Sequence, residues 1–290
     1  MIGKIKAYYQ LTKPGIIYGN TLTAAAGFLL ASAHFKQFDP WLGLATLVSI
    51  ALIMASGCVF NNYIDRGIDK KMARTKKRAL VDGTITGRNA LIYATVLGVF
   101  GFALIAYTTN MLTTALGVVA LIMYVIVYGF AKRQSAWGTI VGSVSGALPP
   151  VAGYTAVSGQ LDAGAIILFL ILTFWQMPHF YAIAMYRRDD YAAAGIPVLP
   201  IKRGMRATKI QMIWFVLGFI AATASLTLFD YTGITYVVIM IILGLRWLTL
   251  GIQGFKKDTD DVRWARKMFF FSLIILLALS VIMPLGAILP

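Results

Sequence analysis

The chain has 290 residues, of which 59% are hydrophobic, and its mean hydropathy is +0.77. Soluble domains are about 45–50% apolar, so this composition excludes an ordinary soluble domain and predicts a polytopic membrane protein. The 26 basic and 11 acidic residues give a formal charge of +15, and the single cysteine, Cys58, excludes a disulfide framework and a cysteine-rich metal site.

Nine hydrophobic stretches have the length of a membrane-spanning helix. They lie at roughly 16–34, 41–63, 89–108, 111–131, 137–157, 163–185, 210–229, 232–253 and 268–288. We therefore predict an all-α polytopic membrane protein with nine transmembrane helices, forming one domain over residues 1–290.

The basic residues fall almost entirely on one side of these spans. The N-terminal tail and the loops after spans 2, 4, 6 and 8 hold 24 of the 26, whereas Lys36 lies on the other side and Arg246 within span 8. The positive-inside rule then places the N-terminus in the cytoplasm and the C-terminus in the periplasm. It also explains the positive charge without nucleic acid as a partner.

The short, basic start has no cleavable signal, so we expect a multi-pass protein of a bacterial inner membrane.

The second span ends in an N-x3-D-x3-D pattern formed by Asn61, Asp65 and Asp69. Residues four apart share one face of a helix, with a drift of about 40° per step. Carboxylates are costly at a membrane boundary, so two together indicate a function. Oxygen ligands on one face suit Mg²⁺, which in turn binds a substrate phosphate. We predict that these three residues are metal ligands and catalytic residues.

The loop after this pattern is densely basic, which is what a diphosphate beside a metal requires. The alternative is a solvated loop that only satisfies the positive-inside rule, with Asp65 and Asp69 paired to nearby basic residues. We favour this alternative for Lys76, Lys77 and Arg88. We do not favour it for Asn61, Asp65 and Asp69, because their spacing and depth are unusual together. The candidate diphosphate contacts along the chain are Arg66, Lys70, Arg74, Arg78, Lys132, Arg133, Arg187 and Arg188.

Span 6 contains Pro178 and His179. A proline inside a span is expected to kink the helix and free backbone carbonyls. A histidine there is a candidate proton carrier, iron ligand or polar anchor, although a histidine hydrogen-bonded within the bundle is an equal alternative. Beyond this span, Asp189 and Asp190 are catalytic candidates that could hold a second metal or orient the two preceding arginines. A structural role for each is an equal alternative.

Span 4 carries Tyr124 and Tyr128 on the way to its basic end. Their rings could stabilise a carbocation by cation–π attraction, or they could be ordinary interface anchors. Small residues and prolines in span 5, such as Gly146 and Pro149, are expected to let helices approach closely or to open a cavity.

Together these residues resemble the UbiA superfamily of intramembrane prenyltransferases and, within it, the heme O synthase (protoheme IX farnesyltransferase) branch. The resemblance covers nearly the whole chain, and the W-Q-x-P-H-F and D-D-Y-x-x-A-G-I-P stretches narrow it to the heme branch. The matching motifs are Leu11–Pro14, Asn61–Arg66, Asp69, Met72, Arg74, Thr75, Lys132–Arg133, Gly146–Pro150, Trp175–Phe180, Asp189–Tyr191 and Ala194–Pro197. Many relatives have D-x3-D where this chain has Arg187 and Tyr191. This departure predicts that the first motif carries most of the metal binding.

The resemblance implies nine helices around a central cavity, capped at the cytoplasmic side by the aspartate motifs. It implies transfer of the farnesyl group of farnesyl diphosphate to a vinyl group of heme B, with water addition, giving heme O and diphosphate. Mg²⁺ is the implied cofactor, and heme A synthase or terminal oxidase subunits are the implied protein partners. The expected heme or prenyl contacts are Trp175, His179, Tyr124, Tyr128 and Tyr191. Whether His179 contacts the heme iron or a propionate is open.

Two other functions compete with this one. A prenyltransferase acting on an aromatic quinone precursor such as 4-hydroxybenzoate would share the first motif. A polytopic transporter would also have polar residues and broken helices, but these should cluster near the bilayer midplane rather than at one rim.

Overall fold

The computed structural model describes residues 2–289 and is helical throughout its regular segments. In chain order the helices are α1 (Ile2–Leu11), α2 (Pro14–His34), α3 (Pro40–Asp69), α4 (Gly87–Thr108), α5 (Met111–Ile122), α6 (Tyr128–Gln134), α7 (Gly138–Ser158), α8 (Ala163–Tyr186), α9 (Arg188–Ala193), α10 (Leu199–Lys202), α11 (Gly204–Leu228), α12 (Ile234–Gln253) and α13 (Asp261–Gly286). A π-helical turn over Met123–Val127 joins α5 to α6, and together they make one span. Within the described range nine helical segments are long and apolar enough to cross a membrane, which confirms the predicted all-helical fold with nine spans.

Local sequence determines where several spanning helices begin. The Asp39 carboxylate accepts hydrogen bonds from two amides of the first turn of α3, and Pro40 follows at the first helical position. Thr86, Asn110 and Asp162 cap α4, α5 and α8 through their side-chain oxygens. Such caps satisfy amide groups of the first turn that have no partner within the helix. They therefore fix the residue at which each of these helices begins.

Helix α3 continues well past the apolar stretch that predicted it. It has 30 residues and ends at Asp69, so at 1.5 Å per residue it is about 45 Å long. A hydrocarbon core is about 30 Å thick. The last turns of α3, which carry Asp65 and Asp69, are therefore long enough to project beyond the apolar layer.

Helices α2 and α7 pack at backbone contact. A Cβ atom on Gly27 would lie 2.1 Å from the Pro150 carbonyl oxygen, and one on Gly153 would lie 2.0 Å from the Ala24 carbonyl oxygen. Only glycine permits this approach at both positions, as expected for small residues between membrane helices.

The prolines of spans 5 and 6, including Pro178 at the predicted kink, lie inside uninterrupted helices. Pro149 and Pro150 fall within α7 and Pro178 within α8, without ending either helix. The two helices are joined beside these prolines by Gln176, whose amide nitrogen donates to the Ser143 carbonyl at 3.3 Å.

Candidate active site

A cavity of about 1260 Å³ lies between α2, α3, α5 to α8 and α13. Its deep walls are mainly apolar and include Ile50, Ile53, Leu116 and Leu121, whereas its mouth is lined by charged residues around Asp65. Typical small-molecule sites are about 300–1,000 Å³. This cavity is thus large enough for two sizeable substrates and offers them an apolar interior below a polar mouth.

The charged mouth is organised around the Asp65 carboxylate. Lys132 forms an ion pair with one of its oxygens, and Arg133 donates to the other at 3.0 Å. Arg133 also donates to the Ile64 carbonyl at 3.0 Å, which fixes the end of α6 against α3. The sequence predicted Lys132 and Arg133 as phosphate contacts, and the structure brings both to the predicted metal motif.

Asn61 lies one turn before Asp65 and shares its cationic neighbours. Its side-chain oxygen accepts from the Lys13 ammonium at 3.3 Å. When the amide is rotated by 180°, the nitrogen donates to Asp65 at 2.9 Å and the oxygen accepts from Lys132 at 3.1 Å. Asn61 and Asp65 therefore form a cradle that already holds a cation, the Lys132 ammonium. The second cation beside Asn61 is Lys13, and burial lowers the pKa of its ammonium to about 8.

Asp69 fastens the loop of residues 70–86 over the same mouth. Its carboxylate accepts from Arg78 at 2.7 Å, and its backbone carbonyl accepts from the Thr75 hydroxyl at 2.9 Å. Arg78 also donates to Asn62 at 3.2 Å, and the Asn62 amide nitrogen donates to the Leu11 carbonyl at 2.7 Å. These bonds hold α1, α3 and the basic loop together as one rim.

The residues at this rim fit a magnesium-bound diphosphate. Asn61, Asp65 and Asp69 are oxygen donors on one face of α3, and all three line the cavity. Among the described residues no three carboxylate, imidazole or thiolate groups converge on one point. Mg²⁺ commonly binds through one or two carboxylates plus substrate phosphates and water, so this sparse donor set suits it. The carboxylates of Asp65 and Asp69 and the four cations bonded to this motif carry a net charge of +2, which favours an anion. These cations are Lys13, Arg78, Lys132 and Arg133.

Two aromatic groups line the cavity on opposite sides. On the α5–α6 side the rings of Tyr124 and Tyr128 stack with centroids 5.9 Å apart, and the Lys132 ammonium lies 5.0 Å from the Tyr128 centroid. Tyr124 lies within the π-helical turn and Tyr128 is the first residue of α6. Such turns are frequent at functional sites. On the α8 side lie Trp175 and His179, whose rings stack at 4.9 Å.

The sequence of the chain matches a known protein family. The sequence profile of the UbiA prenyltransferase family matches residues 20–274, which is most of the chain. The chain belongs to the UbiA prenyltransferase family. It is thus an enzyme that transfers prenyl groups rather than a transporter, and its polar groups lie at the cavity mouth as that activity requires.

Individual relatives within the family are similar over their full length. The chain is 51% identical to a protoheme IX farnesyltransferase of Sodalis glossinidius, covering 99% of this chain and 96% of that protein. It is 50% identical to protoheme IX farnesyltransferase 2 of Chromobacterium violaceum, covering 97% and 92%. Among solved structures, a digeranylgeranylglyceryl phosphate synthase has a TM-score of 0.79 at 20% identity, with 99% of both chains covered. A UbiA homolog from Archaeoglobus fulgidus bound to DMAPP and Mg²⁺ has a TM-score of 0.69 at 16% identity, covering 93% and 98%.

The structure does not bring every predicted UbiA site residue to the cavity. Arg66 and Lys70 line a separate recess of about 530 Å³ on the outer face of α3, where Arg66 donates to the Tyr63 carbonyl at 2.6 Å. Asp189 is exposed, and Asp190 lies 4.0 Å from Arg187.

The segments that follow α3 and α8 bring some of the predicted residues to the cavity and leave others outside it. Arg74, Arg187 and Tyr191 line it, whereas Arg188, Asp189 and Asp190 are not among its lining residues. Burial raises the pKa of the Tyr191 phenol. From the segment after α8, the cavity thus receives an arginine and a neutral phenol, and no carboxylate.

Four residues at the cavity were not among the predicted site residues. Lys13 and Gln176 line it directly, and Ser272 and Phe269 of α13 contact His179. Lys13 belongs to the Leu11–Pro14 motif, so that motif was a signal for it. Ser272 and Phe269 belong to an otherwise apolar span, and nothing in the sequence separates them from ordinary core residues.

Proposed function

We propose that the chain transfers the farnesyl group of farnesyl diphosphate to a vinyl group of protoheme IX (heme B), giving heme O. The observation that carries this proposal is the identity of about 50% to protoheme IX farnesyltransferases over essentially the whole chain. The large cavity with a cationic mouth and a mainly apolar interior supports it, because the two substrates need those two environments.

Asn61, Asp65 and Asp69 would hold Mg²⁺ against the diphosphate in this scheme. The ion would neutralise charge on the leaving diphosphate, which is the main requirement for breaking an allylic carbon–oxygen bond. The Archaeoglobus fulgidus homolog, which binds DMAPP and Mg²⁺, has the same fold and supports this cofactor. Mg²⁺ would take the place of the Lys132 ammonium between Asn61 and Asp65. The flexible lysine side chain would then be free to contact a phosphate oxygen.

The remaining cations of the rim bind the diphosphate directly. Lys132, Arg133, Arg74, Arg78 and Arg187 are the proposed contacts, with Lys13 added from the structure. Arginine suits phosphate because its planar fork offers paired donors. Asp189 and Asp190 are left with the role of orienting the neighbouring arginines.

The reaction breaks one carbon–oxygen bond of farnesyl diphosphate and forms one carbon–carbon bond to the heme vinyl group. The heme vinyl group attacks C1 of the farnesyl group as the bond to the diphosphate oxygen breaks, and diphosphate leaves. Water adds to the resulting cation on the heme side and gives up a proton. The mainly apolar cavity keeps water from the positive charge that develops on C1 until the vinyl group has bonded to it. Tyr124 and Tyr128 face this region and stabilise positive charge by cation–π attraction.

We also propose how the chain lies in its membrane. Residues 1–290 form one domain in a bacterial inner membrane, with the N-terminus in the cytoplasm and the C-terminus in the periplasm. The basic loops and the cavity mouth then face the compartment that supplies the soluble diphosphate end of the substrate. Heme A synthase or a terminal oxidase subunit would receive the product.

The test is product identification with purified full-length protein in lipid vesicles. With heme B, farnesyl diphosphate and Mg²⁺, mass spectrometry should show a heme that has gained one farnesyl group and one hydroxyl group. A parallel reaction offers 4-hydroxybenzoate as the acceptor. Farnesylated 4-hydroxybenzoate beside unchanged heme would assign the enzyme to quinone precursors instead.

The metal assignment has its own test. Asp65→Ala and Asp69→Ala should each lower Mg²⁺-dependent heme O formation by about 10²–10³-fold, the usual cost of removing one electrostatic group from such a site. Near-normal turnover in both variants would refute the assignment. Asp258→Ala, at an exposed carboxylate outside the cavity, is the matched control.

A further inference from the structure

The ring of His179 is enclosed on both faces. Trp175 stacks on it at 4.9 Å with an interplanar angle of 25°, and Phe269 lies against it at 4.8 Å and 35°. Phe180 adds an edge contact at 5.1 Å. The side chain is buried but lines the cavity, so it is the ring edge that is available to a ligand there.

One ring nitrogen is already committed to Ser272. His179 Nδ1 lies 2.8 Å from the Ser272 hydroxyl oxygen, and that hydroxyl lies 2.6 Å from the Phe269 carbonyl. A carbonyl accepts hydrogen bonds only, so the serine proton is directed to Phe269. Nδ1 must then carry the imidazole proton and donate it to Ser272. In the neutral ring this leaves Nε2 with a free lone pair.

We propose that His179 Nε2 is an axial ligand to the iron of the heme substrate, and that Ser272 is the positioning residue that holds the imidazole in this tautomer. The inference rests on the proposed function and assigns an orientation to the heme. Ligating histidines usually donate their other ring nitrogen to a neighbouring acceptor, which fixes both tautomer and ring direction. The His179–Ser272 pair has that arrangement.

This assignment divides the cavity between the two substrates. Leu273 and Leu276 of α13 line it beside His179, and provide an apolar wall for the porphyrin. The farnesyl chain is left with the opposite wall, where Ile53 and Leu121 lie. In this arrangement the heme vinyl group and the farnesyl C1 atom meet below the cationic mouth.

Heme titration of purified full-length protein tests the iron ligand. Ferric heme should give the absorption and electron paramagnetic resonance spectra of a histidine-ligated heme with the unmodified protein. His179→Ala should lose that signature, and free imidazole added to this variant should restore it. A spectrum of His179→Ala identical to that of the unmodified protein would overturn the assignment.

Ser272→Ala tests the positioning role. Loss of an outer partner of a ligating histidine typically weakens metal binding about 10- to 100-fold, and we expect about 10-fold here because the lost partner is a neutral hydroxyl. Ser280→Ala is the matched control, because Ser280 is also buried on α13 and its hydroxyl donates to the Leu276 carbonyl at 2.8 Å. Heme affinity and spectra of Ser272→Ala equal to those of Ser280→Ala would refute the role.

Farnesyl diphosphate affinity, and the comparison of heme spectra with heme farnesylation, distinguish a failure of the iron ligand from a failure of the proposed function. Farnesyl diphosphate affinity should be the same in both serine variants, so a changed heme spectrum in Ser272→Ala alone reports on the imidazole. If the unmodified protein farnesylates heme without a histidine-ligated spectrum, the iron assignment fails and the proposed function stands. If it neither binds nor farnesylates heme, both fail.

Discussion

Replacing Asp65 with asparagine removes one negative charge and keeps the shape of the side chain. Lys132 and Arg133 both lose their carboxylate partner. The side chains of Lys132 and Asp65 are only 12% and 13% exposed, whereas that of Arg133 is 37% exposed. Exposed pairs contribute about 0–1 kcal/mol and breaking a buried pair costs about 3–5 kcal/mol. We therefore expect about 2 kcal/mol of coupling between Asp65 and Lys132.

A double-mutant cycle measures that coupling. The free energy of unfolding in mixed detergent micelles is determined for the unmodified protein, Asp65→Asn, Lys132→Met and the double variant. Asp65→Asn should cost about 2 kcal/mol less in the Lys132→Met background, because the lysine no longer needs a partner. Coupling below about 0.5 kcal/mol, the level of additivity for independent sites, would refute the ion pair.

The same four proteins separate structure from catalysis. The double variant should recover stability but not heme O formation, because Asp65 and Lys132 also act on metal and diphosphate. If the double variant regained both, the two residues would be a structural pair only, and their roles in the proposed mechanism would fall. Asp258→Asn, at an exposed carboxylate, should leave both measurements unchanged.

Three further predictions concern packing and the rim. Gly153→Ala should destabilise the protein by about 1–3 kcal/mol in micelle unfolding, because its Cβ would lie 2.0 Å from a backbone oxygen, whereas Gly15→Ala has open space and should not. Lys209→Met should lower the thermal midpoint, since its buried ammonium binds the Gly254 carbonyl and Asp261 at 2.5 Å; the exposed Lys257→Met should leave it in place. Arg66→Gln should keep its farnesyl diphosphate affinity within twofold in a binding titration, because Arg66 faces away from the cavity; a tenfold loss would contradict this.

The helical period explains which site residues were predictable. Asn61, Asp65 and Asp69 recur every four residues, so their common face follows from the sequence alone, and the structure places all three at the cavity. Arg66 and Lys70 each follow one of these aspartates by a single residue. A step of one residue turns about 100° around a helix, so the same period that groups the acids directs these cations elsewhere.

Other contacts depend on tertiary structure that no local pattern encodes. Ser272 meets His179 across 93 residues of chain, and Lys13 meets Asn61 across 48. Lys13 also adopts a left-handed backbone conformation, with φ 55°, between α1 and α2, which is uncommon for a residue other than glycine. Packing of α13 on α8, and the break between α1 and α2, must be known before either contact can be inferred.

The length of α3 connects the charge pattern to the chemistry. Because the helix is about 15 Å longer than the hydrocarbon layer, its carboxylates can meet cations and a soluble diphosphate without the full cost of burial in lipid. Ile50 and Ile53, on the same helix, line the apolar interior of the cavity. A single helix thus carries both environments that an isoprenoid diphosphate needs, about 18–22 Å apart between Asp65 and these isoleucines at 1.5 Å per residue. The polar end of the substrate is thereby fixed at the rim, and its hydrocarbon chain has one direction in which to lie.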